Sequence, residues 1–127
     1  MNMHSPSRAD PAAEGAVVSK AVMKAAERLG ISGRALGGIL GLSEASVSRL
    51  KRAELTLSPG EKSFELALLF IRLFRSLDAI TGGDETVAKA WLRNENTALG
   101  GIPLDKIITI AGLIDVLAYL DARRALV

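Results

Sequence analysis

Residues 32–52 read SGRALGGILGLSEASVSRLKR, and the way the chain passes Gly41 decides the fold. A glycine at this point allows positive φ, so it can end one short helix and turn the chain into another. Ser32 and Ser43 are each placed to cap a helix N-terminus, which predicts helices from Ser32 to about Leu40 and from Ser43 to about Ala53. Gly37, four residues before the turn, is small enough for the two helices to approach closely. Leu36 and Leu40 supply apolar contacts from the first helix, and Val47 and Leu50 lock the second onto the same core. That register leaves Glu44, Ala45, Ser46, Ser48, Arg49 and Arg52 on the outer face. The pattern also fits a plain helical hairpin with Gly41 as a simple C-cap and solvated bases. The conjunction of small residue, glycine, Val and Leu with a basic, Ser-rich face argues for a helix-turn-helix whose second helix enters a DNA major groove.

On that reading Arg49 and Arg52 can fork onto guanine O6 and N7 or onto phosphates. Ser43, Ser46 and Ser48 can bond bases or phosphates, Glu44 can accept from cytosine N4, and Lys51 holds the DNA backbone; Ala45 lies on the same face. The charge agrees. From Ala16 to Glu54 seven bases face three acids, a local balance of +4, whereas from Pro59 onward eight bases meet nine acids. Each Lys or Arg near a phosphate releases a condensed counterion, so the first half suits a polyanion.

Working outward, helical spacing recurs along the chain and period-two alternation does not, so the class is all-α. Towards the N-terminus, Val18, Val22, Ala25 and Leu29 share one face of a helix from about Val17, with Gly30 as its stop and Lys20, Lys24 and Glu27 towards water. Residues 1–15, rich in Pro, Ser and Ala, read as a flexible arm without the apolar stretch of a signal peptide, so a cytoplasmic location is expected. Towards the C-terminus, Ser58-Pro59-Gly60-Glu61 reads as a capping box opening a long helix to about Ile80 that is apolar over most of its circumference. Gly82-Gly83 ends it, and Asp84 caps a fifth helix with Val87, Trp91 and Leu92 on one side. A loop runs from Asn94 to Pro103. A short turn over 104–108 leads to a last helix presenting Leu113, Val116, Leu117 and Leu120 at i, i+3, i+4 and i+7. The organisation expected is an arm (1–15), a helix-turn-helix unit with its long helix (16–80) and a small C-terminal helical domain (81–127).

Neither a catalytic nor a metal-binding set can be assembled. The chain has no Cys, and its single His, His4, lies in the arm. Asp115 and Asp121 are six apart on one helix, and Gly37-Gly38 lacks the Lys-Ser/Thr of a phosphate-binding loop. No enzyme, cofactor or membrane span is expected, since the apolar stretches are broken by Arg72 and Asp115 and are too short.

Residues 16–54 resemble the Xre-type helix-turn-helix family. The string Ala90-Trp91-Leu92, then Asn96-x-x-Leu99-Gly100-Gly101-x-Pro103-Leu104 and a helix led by Gly112, is similar to the toxin-binding C-terminal domain of the MbcA/ParS/Xre antitoxins. The resemblance implies a type II antitoxin that occludes a RES-domain toxin, an enzyme that consumes NAD or modifies proteins with ADP-ribose, and that represses its own operon. The toxin contacts it implies are Trp91, Asn96, Leu99, Gly100, Gly101, Pro103, Tyr119 and a C-terminal segment with Arg123, Arg124 and Val127. Family members often carry a Gly near the end of the last helix, where this chain has Asp121-Ala122-Arg123-Arg124-Ala125. Read as residues alone, the same motif can simply shape a loop, with Trp91 filling the core beside the long helix. Operator DNA, a toxin and a second copy are the partners expected. The alternative is a stand-alone helix-turn-helix regulator whose C-terminal helices only dimerise it.

Overall fold

The computed structural model describes residues 10–126, and His4 and Val127 lie outside them. Among the described residues seven helices follow one another: α1 (Pro11–Arg28), α2 (Gly33–Leu40), α3 (Glu44–Lys51), α4 (Lys62–Ile80), α5 (Glu85–Arg93), α6 (Pro103–Lys106) and α7 (Ile110–Arg124). Among the described residues the only β-type pairing is an isolated bridge between Asn96 and Gly101.

The first helix begins earlier than its apolar spacing predicts. Asp10 takes an extended N-cap conformation and accepts a hydrogen bond from the Ala13 N–H at 3.3 Å, and Pro11 occupies the first helical position. Proline has no N–H to leave unsatisfied there, so Asp-Pro is a start signal and residues 11–15 are helix, not arm. Gly15 has a packing role as well, because a Cβ at this position would run into the Leu57 carbonyl. The capping box at Ser58 does not form. Gly60 has φ +95° and the Glu61 N–H donates to the Ser58 carbonyl at 3.1 Å, so Pro59-Gly60 makes a turn, and α4 starts after Glu61 without a side-chain cap. Proline followed by a positive-φ glycine satisfies a tight turn better than a first helical turn.

α4 lies at the centre and packs against α1, α2, α5 and α7. Phe70, Leu73 and Leu77 have no exposed surface and Phe64, Leu66 and Ala67 are buried beside them. They meet Val22, Ala25 and Leu29 of α1, Leu36, Ile39 and Leu40 of α2, and Leu113, Val116, Leu117 and Leu120 of α7 in one continuous cluster. The wide apolar surface is not wholly buried, however, since Leu68 remains 46% exposed. On α5 the buried side is Ala88 and Leu92, while Val87 is 49% exposed. With nine residues and one packed edge, α5 turns the predicted Val87 towards solvent.

Charged clasps supplement this core. Arg28 bonds Glu85 at 3.1 Å and Asp78 at 3.4 Å while lying 5.0 Å from the centroid of Phe74. From α5, the Arg93 guanidinium donates to the carbonyls of Leu29 (3.0 Å) and Gly30 (2.8 Å), closing the C-terminal end of α1. Spacing along the chain gives no sign of either clasp.

The glycines of α2 differ in what they permit. A Cβ on Gly37 would stand 2.6 Å from the Leu42 carbonyl oxygen, whereas one on Gly33 would meet nothing nearer than a Val47 methyl at 3.7 Å. Gly37→Ala is therefore expected to lower stability by about 1–3 kcal/mol through overpacking against backbone. Gly33→Ala should leave it unchanged or raise it by up to about 1 kcal/mol through helix propensity. Urea denaturation of the two variants checks the contrast, and equal effects would remove the close approach from the fold.

Candidate nucleic-acid and protein-binding surfaces

The turn has the geometry its sequence predicts. Gly41 has φ +70°, and both it and Leu42 donate their N–H to the Gly37 carbonyl. Ser32 and Ser43 cap α2 and α3, accepting from Ala35 N (3.1 Å) and Ser46 N (3.0 Å). Val47 and Leu50 are buried, which fixes the roll of α3 and sends Glu44, Ala45, Ser48, Arg49, Lys51 and Arg52 outward.

Not every outward group is equally free. The Ser43 hydroxyl is consumed by capping and by a 3.0 Å bond to the Ser46 hydroxyl, and Ser46 is half-buried, so these two belong to the helix start. The Arg49 guanidinium has no hydrogen bond or ion pair to any described residue. Arg52 is held on both sides: its Nε and Nη2 donate to the Glu54 carboxylate at 3.1 Å each, and its Nη1 to Ser48 Oγ at 3.3 Å. The backbone arranges this. Ala53 has φ 59°, and the Ala53 and Glu54 N–H groups return to the Leu50 and Arg49 carbonyls, turning the chain back so that Glu54 meets Arg52. That closure is the Schellman pattern, in which glycine is the usual residue. Lys51, with Lys20 and Lys24 of α1, borders a cleft of about 650 Å³ between α1 and α3.

The second candidate surface lies on α5, α7 and the loop between α5 and α6. Asn96 organises the loop: its backbone carbonyl accepts from Gly100 (2.9 Å) and Gly101 (3.2 Å), and its Oδ1 accepts from the Leu99 N–H at 3.2 Å. Gly100 has φ +74°, and Leu99 and Pro103 are buried. Asn96, Leu99, Gly100, Gly101 and Pro103 therefore build the loop, with little side-chain surface to offer. Trp91 does not fill the core. It is half-buried and stacks on Tyr119 with centroids 6.2 Å apart and planes at 21°, because Leu92 already occupies the buried position of α5. Arg123 completes a column, its guanidinium 5.7 Å from the Tyr119 centroid and donating to the phenol oxygen at 3.0 Å.

On the opposite flank of α7, Asp121 accepts from the Ser76 hydroxyl at 2.8 Å and pairs with Arg72, while Arg124 reaches Ser76 Oγ at 3.4 Å. Ser76 has no exposed surface. Spacing along the chain does not pair Ser76 with Asp121, since their meeting depends on α7 lying along α4. Among the described residues no cluster of three or more His, Cys, Asp or Glu stands together, and no helix is long and apolar enough to cross a membrane.

A turn glycine joining two capped helices, the second with a solvent-facing basic side, followed by further helices packed on the same core, defines a helix-turn-helix protein with an added C-terminal helical unit. Residues 8–72 match the antitoxin Xre-like helix-turn-helix domain, and residues 76–125 match the antitoxin Xre/MbcA/ParS C-terminal toxin-binding domain. The chain belongs to this antitoxin family. Comparison with curated protein sequences gives no match. Among solved structures it is similar to a chain in the crystal structure of the M. tuberculosis MbcT-MbcA toxin-antitoxin complex. The identity is 24%, the TM-score is 0.65, and the match covers 87% of this chain and 96% of that one, a likeness of fold.

Removing the Asp121 carboxylate would leave the buried Ser76 hydroxyl without its acceptor, at a cost of about 1–3 kcal/mol. Asp121→Ala is expected to lower the melting temperature and to speed amide exchange in the last two turns of α7. Unchanged exchange there would show that this contact does not hold the C-terminal end.

Proposed function

We propose that this antitoxin neutralises a RES-domain toxin by covering it with the C-terminal unit, and that it represses its own operon by binding operator DNA as a dimer through α3. The observation that carries the toxin reading is the Trp91–Tyr119–Arg123 column, half-exposed within the matched toxin-binding domain. Trp, Tyr and Arg are the residues most enriched where truncation abolishes protein–protein affinity, because each adds a large rigid contact surface with a polar end. Arg123 and Arg124 sit in the last turn of α7, and both are exposed.

For DNA the supporting features are the buried Val47–Leu50 seam and, on the opposite side of α3, the exposed guanidinium of Arg49, which has no partner among the described residues. Glu54 tempers this surface. Its carboxylate occupies the guanidinium of Arg52 as a phosphate would, so DNA must displace it. An exposed pair of this kind contributes only about 0–1 kcal/mol, so the latch weakens binding without abolishing it. A single recognition helix offers few contacts, and a dimer on paired half-sites supplies the rest. A regulator whose C-terminal helices serve only for dimerisation leaves the column without a role.

The test is co-expression with the RES-domain product of an adjacent reading frame, with growth and complex formation as readouts. Trp91→Ala with Tyr119→Ala, or loss of residues 123–127, should abolish rescue while operator binding persists. Arg49→Ala should do the reverse, weakening operator binding by about 1–3 kcal/mol where Arg49 reads a base. Glu54→Gln should strengthen DNA binding and steepen its salt dependence by about one released ion. Full rescue by the aromatic double variant would refute the toxin reading, and unchanged operator affinity for Arg49→Ala would remove that residue from the DNA surface.

A further inference from the structure

The outer face of α7 is apolar and uncovered. Its inner face, with Leu113, Val116, Leu117 and Leu120, is buried against α4, and its flanks carry Tyr119 and Arg123 on one side and Asp121 and Arg124 on the other. At roughly 3.6 residues per turn, Ile110, Ile114, Ala118 and Ala122 recur every fourth position between those flanks, with Ala111 alongside. Ile110 is 56% exposed and Ile114 46%, and both alanines are exposed. A surface helix normally turns polar residues outward. Here the outward stripe is a second apolar face, bordered by Asp115, whose charge is met by Lys106 at 3.5 Å.

We propose that this face is covered by α7 of a second copy of the chain, packed antiparallel about a two-fold axis. An isologous contact must be complementary to itself. The row 110–114–118–122 meets that condition in shape: its isoleucines lie in the N-terminal half and its alanines in the C-terminal half, so antiparallel pairing seats each isoleucine over an alanine of the other copy. It meets it in charge as well, because the border pair Lys106–Asp115 is internally neutral. The other exposed apolar groove does not. Between α1 and α4, a groove of about 350 Å³ lined by Val17, Ile71 and Phe74 is rimmed by Lys20, Lys24, Arg28 and Arg75, which would repel the same groove of a second copy.

The stripe also connects to the helix-turn-helix. Ile108, 46% exposed just before α7, lies against α2, where a Cβ on Gly38 would stand 3.1 Å from its Cγ2. Pairing through α7 would thus set the distance between two copies of α3, and the Trp91–Tyr119–Arg123 flank would stay open for the toxin. The assignment deepens the dimeric reading above and rests on it.

The chain has no Cys, so a single introduced thiol can form a disulfide only between copies. In the full-length protein at micromolar concentration, an oxidised mixture of Ile114→Cys chains and Ala118→Cys chains should give a mixed covalent dimer, because the antiparallel register seats residue 114 over residue 118 of the other copy, and a mixture of Val17→Cys with Ala118→Cys chains should not. Ile110→Asp combined with Ile114→Asp should convert a dimer into a folded monomer by sedimentation, with the helical circular dichroism retained. A monomeric wild-type protein would overturn both the dimeric reading and the surface. A dimeric wild type whose Ile110→Asp/Ile114→Asp variant stays dimeric, or whose Ile114→Cys and Ala118→Cys chains do not cross-link to each other, would overturn the surface alone.

Discussion

The structure depends on α4 being apolar on more than one side. A helix with a single apolar stripe has one neighbour, whereas α4 inserts Phe70, Leu73 and Leu77 between α1 and α2 on one side and α7 on the other. Each fully buried Phe or Leu side chain contributes about 1.5–3 kcal/mol, while an exposed ion pair contributes about 0–1 kcal/mol. The relative placement of the helix-turn-helix and C-terminal units is thus set by these side chains, and the clasps from Arg28, Arg93 and Asp121 refine it. The two family regions meet inside α4, between residues 72 and 76, so the helix belongs to both.

Sharing a core has a functional consequence. The basic face of α3 and the aromatic column of α5 and α7 are parts of one packed body, and a partner seated on either meets a surface whose position is already fixed. Little ordering is then needed on binding, which favours affinity. Covering an apolar stripe on α7 would add to the same body without disturbing the core, because the stripe faces away from α4.

What was legible in the sequence follows a physical division. Features written in neighbouring residues were readable: serine caps at 32 and 43, the positive φ at Gly41, the Val47–Leu50 seam, and the 113–116–117–120 stripe. Features that depend on a distant partner were not. Trp91 reads as core because large aromatics usually are, yet Leu92 takes the buried place and Tyr119, twenty-eight residues on, receives the indole. The Ser58 box fails because a turn through Pro59 and Gly60 competes for the same residues, and the early start of α1 was hidden because Asp10-Pro11 sits in a stretch whose composition resembles a linker. Glu54 gave no signal either, since its hold on Arg52 needs Ala53 to adopt the left-handed conformation.

The claim that one helix unites both units is tested most directly by native-state hydrogen exchange on the unmodified protein. The slowest amides of α2, α4 and α7 should open with a single common free energy, equal to that of global unfolding. Separate values, with α7 opening while α2 and α4 stay protected, would contradict it.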